Sequence, residues 1–262
     1  MKVATWNVNS LRVRLPHVLK WLESEQPDLL ALQETKVRDE DFPWDTFADR
    51  GYTATFSGQS GYNGVAILSR EPPKDVVHGI GNGFADEQRR VLAGTFGSLR
   101  FYSLYVPNGE RVDSDKYRYK LEWLAALRGL MAQELARHPH LLIAGDFNVA
   151  PDDRDVHDPR AWAGKVLCSA HEREALAQLM ALGFSDTFRL FEQPEKVFSW
   201  WDYRGIAFRR NWGLRIDLML ASSQLSQKCL GCRIDKEPRR WERPSDHVPV
   251  IAEFTFPDRY VQ

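Results

Sequence analysis

Cysteine is scarce in this chain of 262 residues: Cys168, Cys229 and Cys232 are all it has. A disulfide-built secreted fold would use more, so the count agrees with a reducing compartment. Cys229-Leu230-Gly231-Cys232 has the spacing of a redox or zinc pair. A structural zinc site wants four ligands and Cys168 stands apart, so two cysteines in or beside a strand are expected instead. No run approaches the ~20 apolar residues needed to span a bilayer, and no stretch resembles a membrane-docking amphipathic helix. Met1-Lys2 leads directly into Val3-Ala4-Thr5-Trp6, with no apolar stretch of signal-peptide length. A soluble, cytoplasmic protein without membrane contact is expected. Low-complexity tracts, Gly/Ser linkers and long repeats are also missing, which points to a single domain over 1–262. No Gly-x-Ser-x-Gly elbow is present, so serine hydrolase chemistry is poorly supported. Gly79-Ile80-Gly81-Asn82-Gly83 alternates its glycines and precedes no helical pattern, so it reads as a loop and not as a nucleotide-binding turn.

Apolar residues make up 43% and aromatic residues 12%, enough to bury a large core. Net charge is −1, so the protein as a whole will not hold polyanions strongly. The cations are clustered, however: Arg12 and Arg14, Arg89-Arg90, Lys116-Arg118-Lys120, Arg209-Arg210, and Arg239-Arg240 with Arg243. Clusters on a near-neutral chain suit transient, salt-sensitive contact with phosphates, although each alone also reads as a solvated face. Short β-like runs recur at 2–6, 28–32, 64–69, 90–96, 99–106, 140–145, 214–220 and 248–255, and Gly97-Ser98 joins two of them as a hairpin. Helices are fewer: one after Ser10, one over 115–137, and one opened by the capping box Ser169-Ala170-His171-Glu172 and closed by Gly183. Many strands and few helices predict an α+β domain built on packed sheets.

Several of these strands end in polar groups. Leu141-Leu142-Ile143-Ala144-Gly145-Asp146-Phe147-Asn148 is an apolar run closed by Asp-x-Asn. Period two places Asp146 and Asn148 on one side and turns Phe147 into the core. Alone, Gly-Asp-x-Asn reads first as a turn, since all three residue types favour turns. But Asn7 ends Val3-Ala4-Thr5-Trp6, Glu34 ends the run from Asp28, Asp217 lies inside 214–220, and Ser245-Asp246-His247 precedes Val248. Unpaired carboxylates at a core margin are costly. Arg215 cannot neutralise Asp217 within one strand, because adjacent side chains face opposite ways. Converging oxygen ligands suit a hard divalent cation such as Mg²⁺ or Mn²⁺, and Asp217 could orient and charge His247. With Tyr105 before Pro107-Asn108-Gly109, the set fits metal-assisted hydrolysis of a phosphate ester.

Six stretches in order carry a resemblance: Thr5-Trp6-Asn7-Val8-Asn9, Leu32-Gln33-Glu34-Thr35-Lys36, Tyr105-Val106-Pro107-Asn108-Gly109, Gly145-Asp146-Phe147-Asn148, Gly213-Leu214-Arg215-Ile216-Asp217 and Pro244-Ser245-Asp246-His247. The chain resembles the exonuclease III family of apurinic/apyrimidinic endonucleases, within the endonuclease/exonuclease/phosphatase group. The resemblance implies a four-layer α/β sandwich of two packed, mainly antiparallel sheets flanked by helices. It also implies a monomer that hydrolyses duplex DNA 5′ to abasic sites, or removes nucleotides and blocking groups from 3′ ends. Asn7, Glu34 and Asp246 would hold the metal, with Asp146, Asn148 and His247 close to it. Asp146 would activate water, Asn148 would position water or phosphate, Tyr105 would contact phosphate, and His247, oriented by Asp217, would stabilise the phosphoryl group.

Trp200, Leu214 and Ile216 would line an apolar pocket for a flipped-out sugar, although Phe198-Ser199-Trp200-Trp201-Asp202-Tyr203 also reads as a core strand. Asn108, Lys116, Lys120, Arg209, Arg210 and Trp212 are candidate DNA contacts. Trp212 presses into the duplex or fills a loop. Asn9 stands where some relatives carry an acid, which weakens a second metal, and 152–168 matches no motif. The alternative is a phosphodiesterase or phosphatase of the same group acting on a non-DNA ester.

Overall fold

The computed structural model describes residues 1–81 and 83–256; Asn82, within the glycine-rich loop, and 257–262 lie outside the described residues. Side-chain alternation organises the rest. In Lys2–Asn7, Val3 faces one way and Ala4 and Trp6 the other, and the two sets join different apolar clusters. The same alternation splits Leu29 and Ala31 from Leu30 and Leu32, and Leu142 and Ala144 from Leu141 and Ile143.

One six-stranded sheet runs Cys229–Ile234, Val250–Phe254, Lys2–Asn7, Leu29–Gln33, Val65–Ser69, Thr53–Ser57 from edge to edge. The other runs Lys74–His78, Val91–Phe96, Leu99–Tyr105, Leu141–Asp146, Asp217–Ser222, Phe184–Asp186. Each contains a single parallel pairing, Lys2–Asn7 with Leu29–Gln33 and Leu99–Tyr105 with Leu141–Asp146; the remaining neighbours are antiparallel. Val3, Ala31 and Ile67 meet Phe101, Leu142, Ala144 and Met219 between the sheets. Helix Leu11–Glu25 covers the outer face of the first sheet through Val18, Trp21 and Leu22. Helices Asp115–Arg137 and Ala170–Met180 cover the second through Trp123, Leu127, Met131 and Leu176. The result is the expected four-layer sandwich.

Local expectations fare unevenly. The Gly97-Ser98 hairpin pairs Phe96 with Leu99, and the capping box closes both ways between Ser169 and Glu172. The helix expected after Ser10 is Leu11–Glu25, and the N–H groups of Ser10 and Leu11 donate to the Glu34 and Thr35 carbonyls. Helix Leu11–Glu25 is thereby tied to the loop that carries Glu34. The run at 214–220 divides into Gly213–Leu214, paired with Trp200–Trp201, and Asp217–Ser222. The cysteine pair lies on the edge strand Cys229–Ile234 as free thiols. At Gly145, with φ +152°, a Cβ would come within 1.9 Å of the Leu104 carbonyl oxygen, so only glycine lets these strands approach just before Asp146.

Arg215, 1% exposed, bonds Asp155 at 2.7 and 3.1 Å and Asp186 at 2.7 Å. This ties the motif-free segment around Asp155 to the connection that leads into Asp217. Removing the cation leaves two buried carboxylates uncompensated except for Arg189 on Asp155. Arg215→Met is therefore expected to lower unfolding free energy by about 3–5 kcal/mol. Urea melts check this; a loss under about 1 kcal/mol, the range of a surface pair, would show that the network contributes little.

Candidate active site

The space between the sheets becomes polar towards one rim. Beyond the apolar layer, Gln33 donates to Thr5 Oγ1 at 3.0 Å and to Ser103 Oγ at 3.1 Å, joining the sheets through buried polar groups. One pleat further, the inward positions are Asn7, Tyr105, Asp146 and Asp217. Strand register places Tyr105 and Asp217 on either side of Asp146. The chain thus fills its sheet interface with Val, Ala and Leu, then with amides and hydroxyls, and finally with carboxylates at the strand ends.

Asn7 Nδ2 crosses the gap, donating to Glu34 Oε1 at 2.8 Å and Asp146 Oδ2 at 2.9 Å. Asn148 lies past its strand with φ +49°, so a left-handed turn, not continued pleating, brings it back beside Asp146. Its N–H donates to Asp146 Oδ1 at 2.9 Å, its Nδ2 to the Val106 carbonyl at 3.0 Å, and its Oδ1 accepts from Asn108 Nδ2 at 3.0 Å. Glu34 and Lys36 are also left-handed, with φ +51° and +54°. Such strain persists where surrounding bonds over-determine it, and here Lys36 Nζ holds Glu34 Oε2 at 2.8 Å and Asn9 Oδ1 at 2.6 Å. Asp246 accepts from Asn9 Nδ2 at 2.9 Å and Trp200 Nε1 at 3.0 Å.

Asp217 Oδ2 contacts His247 Nδ1 at 2.8 Å and accepts the Ser199 hydroxyl at 2.6 Å, while its Oδ1 is buried without a partner. Burial alone would push the His247 pKa down, yet Asp217 and Asp146 outweigh it and lift it to about 10. The ring is then an imidazolium at neutral pH, donating through Nδ1 and presenting Nε2 3.7 Å from Asp146 Oδ2. Burial raises the Asp146 pKa, with Asp217 and Glu34 adding repulsion that His247 and Asn7 counter. Burial, with Glu34 and Asp146 beside it, holds Tyr105 well above an ordinary phenol, so it stays a proton donor. Burial opposes ionisation of Asp246, but His247, Trp200 and Asn9 more than offset it.

Oxygens of Glu34 and Asp146 and a ring nitrogen of His247 lie within 4.8 Å of one another, and with the ring protonated the two carboxylates are the metal-binding donors of this group. This concentration of buried negative charge and oxygen donors fits a divalent cation.

Other expected residues separate. Lys120, expected to face DNA, is fully buried and paired with Glu172. The alternation of basic residues in a helix cannot reveal that one of them points into a polar core. Lys116 is exposed but paired with Glu110 at 2.5 Å, and Asn108 is exposed beside Asn148. Arg209 is exposed; Arg210 and Trp212 line an open cleft of ≈ 800 Å³ with His157, Arg160 and Lys196. Trp212 thus faces solvent, its ring covered by the Arg210 guanidinium at 4.4 Å. Leu214 and Ile216, 0% and 1% exposed, pack with Val156 and Leu167 beneath Trp162, Val166 and Trp200, so of the three pocket candidates only Trp200 is partly open.

Nothing in the sequence alone gives Lys36 or Ser199 a role. Lys36 stood inside a quoted motif, two residues after Glu34. Ser199 was hidden among aromatics, and nothing in the spacing signals its bond to Asp217.

The model of the Endonuclease/Exonuclease/phosphatase family matches residues 4–247. The chain belongs to this family. Within it, exodeoxyribonuclease III of Haemophilus influenzae is 37% identical over 97% of this chain and 100% of its own length. The 3′ phosphatase NExo from Neisseria, solved bound to a product DNA hairpin, superposes with a TM-score of 0.96 at 44% identity, covering 98% of this chain and 100% of that one. An AP endonuclease from Archaeoglobus fulgidus gives 0.93 at 38% identity, with the same coverages. Among the described residues no helix is long and apolar enough to cross a membrane.

Proposed function

We infer that the protein is a DNA-repair nuclease, using Mg²⁺ or Mn²⁺ to cleave phosphodiesters 5′ to abasic sites or to remove nucleotides and blocking groups from 3′ ends. The observation that carries the reading is the meeting of Asn7, Glu34 and Asp146 with the Asp217–His247 pair at the rim between the sheets. The relatives, themselves named as an exodeoxyribonuclease, a 3′ phosphatase and an AP endonuclease, supply the substrate class.

Glu34, Asp246 and Asn7 would hold the cation, which when bound would neutralise phosphate charge and polarise the scissile group. Asp146, its pKa raised towards neutrality, takes the proton of the attacking water. Asn148 and Tyr105 orient the phosphate as neutral donors, and His247, fixed by Asp217, donates to the oxygen on which charge develops. Trp200 offers an apolar surface beside the reacting group. Monomeric action in the cytoplasm belongs to the same reading.

A duplex with one abasic analogue and a duplex with a recessed 3′ end, each with Mg²⁺ or EDTA, test it. Cleavage of at least one with Mg²⁺, abolished by EDTA and restored by excess Mg²⁺, is expected. Cleavage persisting in EDTA would sink the metal mechanism. Inertness towards both DNAs would favour a non-DNA phosphate ester.

A further inference from the structure

Lys120 and Glu172 are both fully buried, on different helices, and form an ion pair. Neither belongs to the constellation proposed to meet the substrate. An isolated buried pair often costs more in desolvation than it returns, so what else its groups hold matters. Lys120 Nζ donates to the Asn148 carbonyl at 2.6 Å and the Asn108 carbonyl at 3.1 Å besides Glu172, which uses all three of its protons. Glu172 in turn accepts the N–H groups of Leu167 and Ser169, each at 3.0 Å, and the Ser169 hydroxyl. One buried pair therefore clamps three segments: the loop after Tyr105, the turn after Asp146 and the segment entering helix Ala170–Met180. Asn148 is the residue with φ +49°, and its carbonyl is the group the ammonium grips. Asparagine enters the left-handed region more easily than most residues, so what the clamp adds is a fixed direction for the turn and its side chain.

We propose that Lys120, braced by Glu172, is a positioning residue for catalysis: it fixes the turn at Asn148 and the loop that carries Asn108, whose Nδ2 holds Asn148 Oδ1 at 3.0 Å, and so aims the Asn148 amide at the scissile phosphate. The proposal rests on the role given above to Asn148. Lys120 itself touches no substrate.

Lys120→Met alone would strand a buried carboxylate, so the test pairs it with Glu172→Gln. Leu167 and Ser169 donate to different oxygens of Glu172, so glutamine keeps an acceptor for one of the two N–H groups while the double change removes both charges. Thermal melts establish the folded fraction, and kcat and KM are measured with Mg²⁺ on whichever of the two duplexes the wild type cleaves, with Asn148 intact and with Asn148→Ala. With Asn148 intact the double variant should lose roughly 10–100-fold in kcat per folded molecule, the range found when supporting partners of a reactive group are removed. KM should move less than about 3-fold, since a group that acts only in the transition state leaves ground-state binding alone. In the Asn148→Ala background the same pair of changes should cost almost nothing further, because the residue being aimed is gone. Equal losses in both backgrounds, or an unchanged kcat in folded protein, would overturn the positioning role while leaving Asn148 its own. Full activity of Asn148→Ala by itself would overturn both. Glu172→Gln alone, with Lys120 still gripping both carbonyls, should lose less than the double variant; an equal or larger loss would count against Lys120 as the aiming group.

Discussion

Asp146→Asn is expected to lower kcat by roughly 10²–10⁴-fold while leaving DNA affinity within a few-fold of wild type, the loss typical when a general base is removed. The substitution keeps the shape of the side chain and its place at the end of Leu141–Asp146. An amide oxygen can still accept the Asn148 N–H that Asp146 Oδ1 now receives. What disappears is a carboxylate whose pKa burial raises, a group suited to taking a proton near neutrality. Asp146 is 1% exposed beneath the rim, so duplex contacts made further out should survive its change. Single-turnover rates with Mg²⁺ and binding measured in EDTA separate the two effects. Equal losses in rate and affinity would show that Asp146 serves to bind, not to activate water.

The loss would also report on geometry that the sequence only partly conveyed. An apolar run closed by a polar residue is legible because strands alternate, which is how Asn7, Tyr105 and Asp146 came to be grouped. Alternation says nothing about left-handed turns: extended pleating and a turn of opposite hand both bring Asn148 beside Asp146, and the chain uses the turn. The apolar run from Asp28 makes Glu34 a strand end, whereas it lies one residue beyond the strand, in the same left-handed region. Lys74–His78 is exposed at all five residues and Phe184–Asp186 is three residues long, so neither carries a hydrophobic pattern to read. Lys120 shows the opposite failure. Its neighbours 116 and 118 are solvated, and only packing of helix Asp115–Arg137 against helix Ala170–Met180 decides that its stem and charge go inward.

Asp217→Asn tests the other half of the site and should be nearly as severe, about 10²–10⁴-fold in kcat by comparison with other buried carboxylates that orient a catalytic imidazole. Asp217 Oδ2 holds His247 Nδ1 at 2.8 Å and is itself fixed by the Ser199 hydroxyl, which also accepts the Ile216 and Asp217 N–H groups at 3.1 Å each. An asparagine there either presents its oxygen and keeps the ring in place without the charge, or presents its nitrogen and turns the ring away. In both cases the imidazolium loses its principal support, because Asp217 is the larger of the carboxylate influences that lift His247 against burial. The direction of the pH effect follows. A pKa raised on folding means that the stability His247 gains from its carboxylate partners is fully present below its unfolded value of about 6.5 and is lost as pH rises through the folded value of about 10. With Asp217 neutral the folded pKa falls, so the alkaline limb of kcat should move to lower pH than in wild type, and the variant should recover part of its deficit on the acidic side. A pH–rate profile lowered uniformly, with the limb unmoved, would mean that Asp217 supports the fold of the rim and not the charge on His247.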